Sequence, residues 1–234
     1  MLRVVCQSLL RSSSTMGRCN GRRLLSATQP HQDVLFSDEV ITNEEATSLL
    51  SDIDRKLGTK RYQGSHFDSV IQDYRETEMP LQIWSEANRK IIERLFKLAL
   101  SLSGLPETTP TLPPHVIDLK AKTGAIYPHV DSLKHGGAIV AALSLISTRT
   151  LRLTVPPMDF IVGARLDLEG KPTAADYVLG PRTFYVLTKS ARYDLAHEIL
   201  PGEQRRVSIV FRDQPKDYIP DWAKDFSMGS GKKL

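Results

Sequence analysis

Cysteine is scarce in this chain of 234 residues, and both cysteines, Cys6 and Cys19, lie near the amino terminus. Because the chain has no cysteine after Cys19, that part of it cannot form disulfides, bind zinc or iron–sulfur clusters through thiolates, or use a cysteine nucleophile. Long apolar runs are also missing. The longest, Ala138 to Ile146 interrupted only by Ser144, is about half of the roughly 18 residues that a membrane-spanning helix needs. No membrane span is predicted, and the chemistry must come from His, carboxylate, Arg and Tyr side chains.

Acidic residues are absent from the first 32 positions, which instead contain five arginines and several serines. An Arg-rich, Ser-rich, acid-poor segment is typical of a mitochondrial transit peptide and not of a secretory signal. The stretch Arg23-Leu24-Leu25-Ser26 has the form of a matrix processing site. We therefore predict a transit peptide at residues 1–25 and a mature protein in the mitochondrial matrix. The alternative is a disordered tail with a chance excess of arginine.

The basic character of the chain belongs to this leader. The net charge is +4, but removal of residues 1–25 leaves 26 basic side chains against 27 acidic ones, a net charge of −1. Proteins that bind nucleic acid usually carry a clustered excess of Lys and Arg. The composition of the mature chain does not indicate such a protein, and its length favours one domain.

Two amphipathic helices are predicted in the first half of the chain. Thr42 and Glu45 have the spacing of a capping box, and apolar residues then recur at helical spacing until Gly58. A second helix begins near Ser85 and ends before Gly104. Residues 59–82 are polar and aromatic without a clear period, and a proline-rich connector follows the second helix.

After Pro114 the sequence changes to short apolar segments separated by Gly and Pro turns, which predict strands. These are His115 to Lys122, Ala138 to Ser147, Leu151 to Val155, Arg165 to Leu168, Tyr177 to Leu179, Thr183 to Leu187 and Arg206 to Arg212. Helices followed by a run of strands predict an α+β fold, a double-stranded β-helix (jelly roll) with two N-terminal helices packed on it. We expect one domain over 33–212, with a helical part at 40–104 and the jelly roll at 115–212. A partly disordered tail is expected at 213–234.

A metal site is predicted from three residues of the second half. His129 and Asp131 lie two positions apart, so on a strand or at its exit both side chains point the same way. His197, near the end of the strand region, supplies a second imidazole. Two His and one carboxylate leave coordination positions open, as in non-haem Fe(II) oxygenases.

The spacing of this pair is weak evidence by itself, because the chain contains it twice. His66-Phe67-Asp68 has the same form but lies in the aperiodic segment 59–82, where no strand holds both groups on one face. We interpret that second copy as structural or as part of the substrate side.

The last predicted strand strengthens the metal-site prediction. Alternation places Arg206, Ser208 and Arg212 on one face and apolar residues on the other. Two arginines facing a barrel interior are costly unless an anion binds there, and guanidinium groups bind carboxylates well. The alternative is an exposed edge strand whose arginines lie in water.

With these motifs the chain resembles the AlkB-like Fe(II)- and 2-oxoglutarate-dependent dioxygenases over about residues 33–212. The matching stretches are Arg61-Tyr62, Arg75-Glu76-Thr77-Glu78, Trp84-Ser85-Glu86-Ala87, Pro128-His129-Val130-Asp131-Ser132, Ser190-Ala191-Arg192-Tyr193-Asp194 with His197-Glu198-Ile199, and Arg206-Val207-Ser208 with Arg212.

The resemblance implies a role for each of these site residues. His129, Asp131 and His197 would ligate the iron, and Arg206, Ser208 and Arg212 would bind the carboxylates of 2-oxoglutarate. Tyr185 would add a phenol hydrogen bond. Arg192 would lie beside the open coordination face as a catalytic residue, or would form a structural ion pair with Asp194. The family's reaction consumes 2-oxoglutarate and dioxygen as a C–H bond of the substrate is hydroxylated.

Three departures from the family pattern concern the surroundings of the site. The Asn-x-Tyr pair that bacterial members use beside the co-substrate is replaced at Asp118-Leu119-Lys120, which leaves Tyr127 and Tyr185 as substitutes. The segment 156–179 is long, and the segment between His197 and Arg206 is short. We expect the jelly-roll core to be retained and the rim of the site to differ.

The substrate is predicted from the segment that corresponds to the nucleotide lid of DNA-repairing relatives. Residues 59–82 have a net charge of −1. The aromatic residues Tyr62, Phe67, Tyr74 and Trp84 could stack a base, but we expect them to pack between the helices and the sheet. A protein side chain is therefore the leading substrate, with nucleic acid bound weakly or not at all. The alternatives are N-demethylation of mitochondrial tRNA and a partner-binding jelly roll with vestigial catalysis. Resemblance to the mitochondrial subgroup also implies roles in programmed necrosis after alkylation damage and in fatty-acid metabolism.

Overall fold

The computed structural model of the protein describes residues 31–216. Two long helices are present where the sequence predicts them, α1 at Asn43–Leu57 and α2 at Glu86–Ser103. At the start of α1 the Thr42 hydroxyl accepts from the Glu45 amide, and the Glu45 carboxylate accepts from the Thr42 amide, which completes the capping box. Gly104 ends α2 at φ 71°, a left-handed conformation that glycine adopts without strain. A short helix, α3 at Lys189–Tyr193, and a 3-10 turn at Leu81–Ile83 are additional.

Eleven antiparallel strands form one curled sheet. They are β1 Val34–Ser37, β2 Gln63–Ser65, β3 Ile71–Glu78, β4 His115–Leu119, β5 Ala125–His129, β6 Val140–Leu145, β7 Arg149–Thr154, β8 Thr173–Leu179, β9 Phe184–Leu187, β10 Ala196–Ile199 and β11 Arg206–Arg212. The order is β1-β9-β6-β11-β4-β3-β5-β10-β7-β8, with β2 paired to β3. The rings of Phe36 on β1 and Tyr177 on β8 lie 4.7 Å apart. The two ends of the sheet therefore meet, which closes the jelly roll.

The core of residues 31–216 has two large apolar clusters, one on each face of the sheet, and a small third one made of Val130, Leu168 and Ala196. The helix-facing cluster joins α1 and α2 to the sheet and includes Val207, Ile209 and Phe211 of β11. The interior cluster fills the barrel. Arg206 and Ser208 point to the interior face, as alternation predicts, and β11 lies between β4 and β6. The alternative of an exposed edge strand is therefore wrong, and the predicted jelly roll with two packed helices is confirmed.

The segment 59–82 differs most from its prediction, because it contains β2 and the long strand β3. Tyr74 to Glu78 of β3 pair with β4, whereas Ile71 and Gln72 pair with β5. Asp73, where the partner changes, has φ 46°. This irregularity interrupts the alternation of apolar residues, so the strand has no period-two signal. Because β3 is central to the sheet, the helical part 40–104 is not separate from the jelly roll.

Other local predictions also need correction. Arg165 to Leu168 is not a strand but part of the long β7–β8 loop, and β1, β5, β10 and α3 were not predicted. These strands have only four or five residues, too few for a clear pattern. Of the aromatic residues expected between helices and sheet, Tyr74 and Trp84 are buried, but Phe67 is 90% exposed. The packing prediction is therefore wrong for Phe67.

Asp118, one of the departures from the family pattern, is buried on the helix-facing side of β4. Its carboxylate accepts from Arg75 Nε at 2.7 Å, Arg205 Nε at 2.9 Å and Tyr62 Oη at 3.0 Å. Arg75 also donates to the carbonyl of Leu57 at the end of α1. Asp118 thus fastens α1 to the sheet and has no contact with the barrel interior, which its neighbours on β4 face.

Several predictions concern residues outside 31–216. The transit peptide, its cysteines and all but the first residues of the tail at 213–234 are among them. Within the described part of the chain, no helix combines the length and apolar character that crossing a bilayer requires.

Candidate active site

Two neighbouring strands bring the two predicted histidines together. His129, at the end of β5, is the cross-strand partner of His197 on β10. Both are buried, and their ring centroids lie 4.3 Å apart. Asp131 follows β5 by two residues, and one ligand atom from each of the three lies within 4.8 Å of the others. In residues 31–216 no other group of three His, Cys, Asp or Glu side chains is this close.

The hydrogen bonds of His129 leave one ring nitrogen free for a metal. Its Nδ1 lies 2.8 Å from the carbonyl oxygen of Tyr127 and donates to it. Its Nε2 lies 3.3 Å from Asp131 Oδ1. A backbone acceptor on the far nitrogen is the usual way to orient a metal-binding imidazole.

The protonation states at this cluster suit a divalent cation. Burial lowers the pKa of His197 to about 3, and the charge of His129 acts in the same direction. Burial opposes ionisation of Asp131, but the positive charge of Arg212 holds its pKa well below the usual value. A neutral imidazole and an ionised carboxylate are the forms that bind metals.

Two buried atoms of the cluster have no hydrogen-bond partner, Asp131 Oδ2 and His197 Nδ1. Buried polar atoms are nearly always paired in native proteins. The unpaired oxygen and the free Nε2 of His129 face one small space with one negative charge. The donor set therefore fits Fe(II), which two imidazoles and one carboxylate bind with positions left open.

The second His-x-Asp pair is used differently. His66 Nδ1 lies 2.7 Å from Asp68 Oδ1, and its Nε2 lies 3.6 Å from Glu76 Oε1. Glu76 also contacts His115 Nε2 at 3.0 Å. These residues tie the β2–β3 turn to β3 and β4, in agreement with the structural interpretation.

Arg206 lies in the barrel interior and is only 1% exposed. Its Nη1 donates to Ser208 Oγ at 3.0 Å, and the phenol of the buried Tyr185 on β9 lies near it. Its Nε and Nη2 have no partner. Ser144 of β6, directly opposite Ser208, also has an unpaired buried hydroxyl. The predicted residues Arg206, Ser208 and Tyr185 thus form a cationic pocket with unused donors.

Arg212, the second arginine of β11, lies at the metal end of the strand. Its Nη2 is 3.7 Å from Asp131 Oδ1. Six residues of strand separate it from Arg206, about 20 Å between Cα atoms, but the Arg206 side chain extends toward Ser208 and shortens the gap. The two arginines thus lie toward opposite ends of β11, with Arg212 beside the metal cluster.

Arg192 holds the loop that carries Asp131. It is 1% exposed and donates to the carbonyls of Asp131 at 2.8 Å and Gly136 at 3.1 Å. No ion pair joins it to Asp194 in the part of the chain that the structure describes, so that alternative is wrong. Arg192 lies beside the metal cluster, as expected, but its guanidinium is engaged with backbone.

Arg149 was missed by the sequence analysis. It is buried at the start of β7 and alternates with Leu151 and Leu153, both of the interior cluster. Period-two alternation starting at Arg149 is the signal that places it inside, but the predicted strand began at Leu151.

The chain is similar to a curated dioxygenase over nearly its whole length. No family model matches the chain. A curated relative from Bos taurus, "Alpha-ketoglutarate-dependent dioxygenase alkB homolog 7, mitochondrial", is 32% identical over 229 residues, 92% of this chain and 93% of the relative.

Two solved structures show the same fold. A Pseudomonas putida prolyl-4-hydroxylase has a TM-score of 0.54 at 13% identity and covers 79% of this chain and 93% of its own. The epimerase SnoN, in complex with Fe3+, alpha ketoglutarate and nogalamycin RO, has a TM-score of 0.55 at 18% identity. The match covers 86% of this chain and 88% of the SnoN chain. Because the bovine relative is 32% identical over nearly the full length of both proteins, the chain belongs to the AlkB homologue 7 family of α-ketoglutarate-dependent dioxygenases.

Proposed function

We propose that the protein is a mitochondrial Fe(II)- and 2-oxoglutarate-dependent dioxygenase that hydroxylates a protein side chain in the matrix. One observation carries the enzyme class. Unpaired buried polar atoms lie at two levels of the same interior, at Asp131 and His197 near one end and at Arg206 further in. A metal and a dicarboxylate that chelates it would satisfy both levels at once.

Each residue then has a defined role. His129, Asp131 and His197 hold the iron, with the Tyr127 carbonyl orienting His129. Arg206, with Ser208 and Tyr185, binds the distal carboxylate of 2-oxoglutarate. Iron held there would let dioxygen act as the oxidant: 2-oxoglutarate would lose CO2 to give succinate, which takes one oxygen atom, and a C–H bond of the substrate would become C–OH with the other.

The remaining two arginines act on Asp131. Arg212 is the charge that keeps the pKa of this carboxyl low despite burial. Arg192 fixes the backbone of the same residue through its carbonyl. Together they hold the carboxylate ionised and its backbone in place, so both are positioning residues for Asp131. Arg212 is also the arginine proposed to bind a 2-oxoglutarate carboxylate at the metal end.

A protein substrate is supported by the loops at the metal end of the barrel. The pairings of β5 with β3 and β10, and of β7 with β8, bring the segments 66–70, 130–139, 155–172 and 188–195 to this end. Of the nine large apolar side chains exposed in residues 31–216, seven lie on these segments. They are Phe67, Leu133, Val155, Met158, Ile161, Val162 and Tyr193. Exposed apolar residues concentrated at a site entrance are typical of a protein-binding surface.

The charges of these loops disfavour a polyanion. The basic residues Lys134, Arg165, Lys171 and Lys189 are offset by Asp68, Asp159, Asp167, Glu169 and Asp194. Elsewhere, Arg152 pairs with Asp176 and Arg182 with Glu39. Arginines that are neutralised or dispersed release few counterions from a nucleic acid.

The substrate class is tested by mass spectrometry of matrix proteins from cells with and without this protein. We expect one or more peptides that gain a single oxygen atom only when the protein is present. Cells carrying His129→Ala are the control and should match cells without the protein. Unchanged peptides together with an altered methyl-nucleoside profile of mitochondrial tRNA would favour the tRNA demethylase instead.

Binding of tRNA gives a second, independent test. The mature protein should bind labelled tRNA with a Kd above about 10 µM at physiological salt and with a shallow salt dependence, because few phosphates are neutralised. Titrations at low and physiological salt measure both quantities. Sub-micromolar affinity that collapses with salt contradicts the proposal.

The matrix location is supported by the acid-poor leader and by the word mitochondrial in the name of the bovine relative. Roles in programmed necrosis after alkylation damage and in fatty-acid metabolism belong to the same proposal, and their support is the family resemblance.

A further inference from the structure

Arg149 is a buried cation that the proposed reaction does not yet use. It is 3% exposed at the start of β7, and its side chain lies on the face that carries the interior residues Leu151 and Leu153. Its Nη2 donates to the carbonyl of Gln204 in the β10–β11 turn. Its Nε and Nη1 have no partner.

The register of the strands places Arg149 at the inner end of the barrel, away from the metal. Leu153 is the cross-strand partner of His197. Arg149 lies four residues before Leu153 on β7, about 13 Å from the level of His197. Arg206 lies at the same inner end, at the start of β11, and Gln204 is two residues before it. The short β10–β11 turn thus brings β7 against the first residues of β11.

The two guanidiniums are close enough to influence each other, and only the exposed Glu203, which forms no ion pair with Arg149, partly offsets their charge. Burial lowers the pKa of Arg149, and the charge of Arg206 lowers it further. Neither arginine forms an ion pair with a carboxylate of residues 31–216. Four of their nitrogen atoms are buried and unpaired. Two uncompensated buried cations are strongly destabilising unless an anion binds between or beside them.

We propose that Arg149 is a second, positioning arginine for the co-substrate, which makes the inner end of the barrel selective for 2-oxo acids with a distal carboxylate. Arg206 contacts that carboxylate, and Arg149 adds positive charge behind it and braces the turn that precedes Arg206. The inference rests on the proposed function, since it presumes that 2-oxoglutarate binds in this interior.

A glycine in the turn shows how closely Arg149 is packed. A Cβ at Gly202 would lie 1.8 Å from Arg149 Nη1. Glycine at this position leaves room for the guanidinium where it lies, and the hydrogen bond to the Gln204 carbonyl holds it against the turn.

The test compares two ligands in the Mn(II)-loaded mature protein. 2-Oxoglutarate has a distal carboxylate, and 2-oxobutyrate shares its chelating end but lacks that carboxylate. Apparent Kd values come from the ligand-dependent rise in Tm. We expect Arg149→Gln to weaken the binding of 2-oxoglutarate about tenfold, because one positive charge near a carboxylate is lost. The Kd of 2-oxobutyrate should change by less than about twofold. Arg149→Lys should restore most of the affinity.

Arg152→Gln is the matched control. Arg152 lies on the opposite face of β7 and pairs with Asp176, so its variant should leave both affinities unchanged. Equal weakening of both ligands by Arg149→Gln, or a lower Tm without ligand and an unchanged affinity ratio, would show a purely structural role and overturn the inference. If the unsubstituted protein binds no 2-oxoglutarate, the proposed function itself fails. If it binds and depends on Arg206 but not on Arg149, only this inference fails.

Discussion

Replacing His129 or His197 with alanine is expected to abolish stoichiometric binding of Fe(II), or of Mn(II) as a redox-quiet substitute. Each change removes one of three ligands from a buried cluster whose atoms lie within 4.8 Å of one another. Loss of a residue that merely orients a metal ligand already costs about 10- to 100-fold in affinity. We therefore expect a loss of more than about 100-fold, measured by calorimetric titration of the apoprotein.

The chain provides a matched control for this experiment. His66 and Asp68 repeat the spacing of His129 and Asp131 but interact with each other and with Glu76. The double variant His66→Ala, Asp68→Ala should bind one metal ion with unchanged affinity. The opposite pattern, with binding lost in this variant and kept in His129→Ala, would mean that the wrong pair was assigned to the metal.

Replacing Arg206 is expected to remove the stabilisation by 2-oxoglutarate while metal affinity is retained. In the metal-loaded protein a ligand at about 100 times its Kd stabilises the fold by about 2.7 kcal/mol, a rise in Tm of roughly 5–10 °C. Arg206 is a buried cation with unpaired donors inside the barrel, and its Nη1 donates to Ser208. Arg206→Ala should therefore abolish this rise, and without metal the rise should be small even in the unsubstituted protein.

A second variant separates binding from folding. Arg206→Met keeps the volume but removes a buried charge that lacks an anion in the ligand-free protein, so its Tm without ligand should be higher than that of the unsubstituted protein. The neighbouring Arg205 is the control, because it faces the helices and pairs with Asp118 and Asp54. Arg205→Ala should lower stability and keep the 2-oxoglutarate effect. A full Tm rise in Arg206→Ala would place the co-substrate elsewhere.

The predictions that the structure confirms rest on local patterns. The capping box at Thr42 and the glycine after α2 specify helix ends within a few residues of chain. Alternation along β11 separates arginine from apolar residues, and the sheet uses that separation as predicted. In such cases the interacting groups are neighbours in the sequence, so one pattern contains the whole interaction.

The strand β3 shows why other elements could not be predicted. Its residues are mostly polar, and several of its polar groups find partners from distant segments, such as Asp118 for Arg75. The strand also changes partner at Asp73. Its place in the sheet is therefore stabilised by contacts that no local pattern encodes.

The sequence by itself determined the residue types available for chemistry, the two helices, the jelly-roll class and the candidate ligands His129, Asp131 and His197. Only the tertiary structure decided that β5 and β10 pair so that two histidines meet across strands, that His66 and Asp68 do not join them, and that Arg149 and Arg206 share one end of the barrel. The physical reason is the antiparallel jelly roll. Its strand partners lie far apart in the chain, 68 positions for His129 and His197 and 153 for Val34 and Leu187. Their register is set by the packing of the whole interior rather than by any single segment.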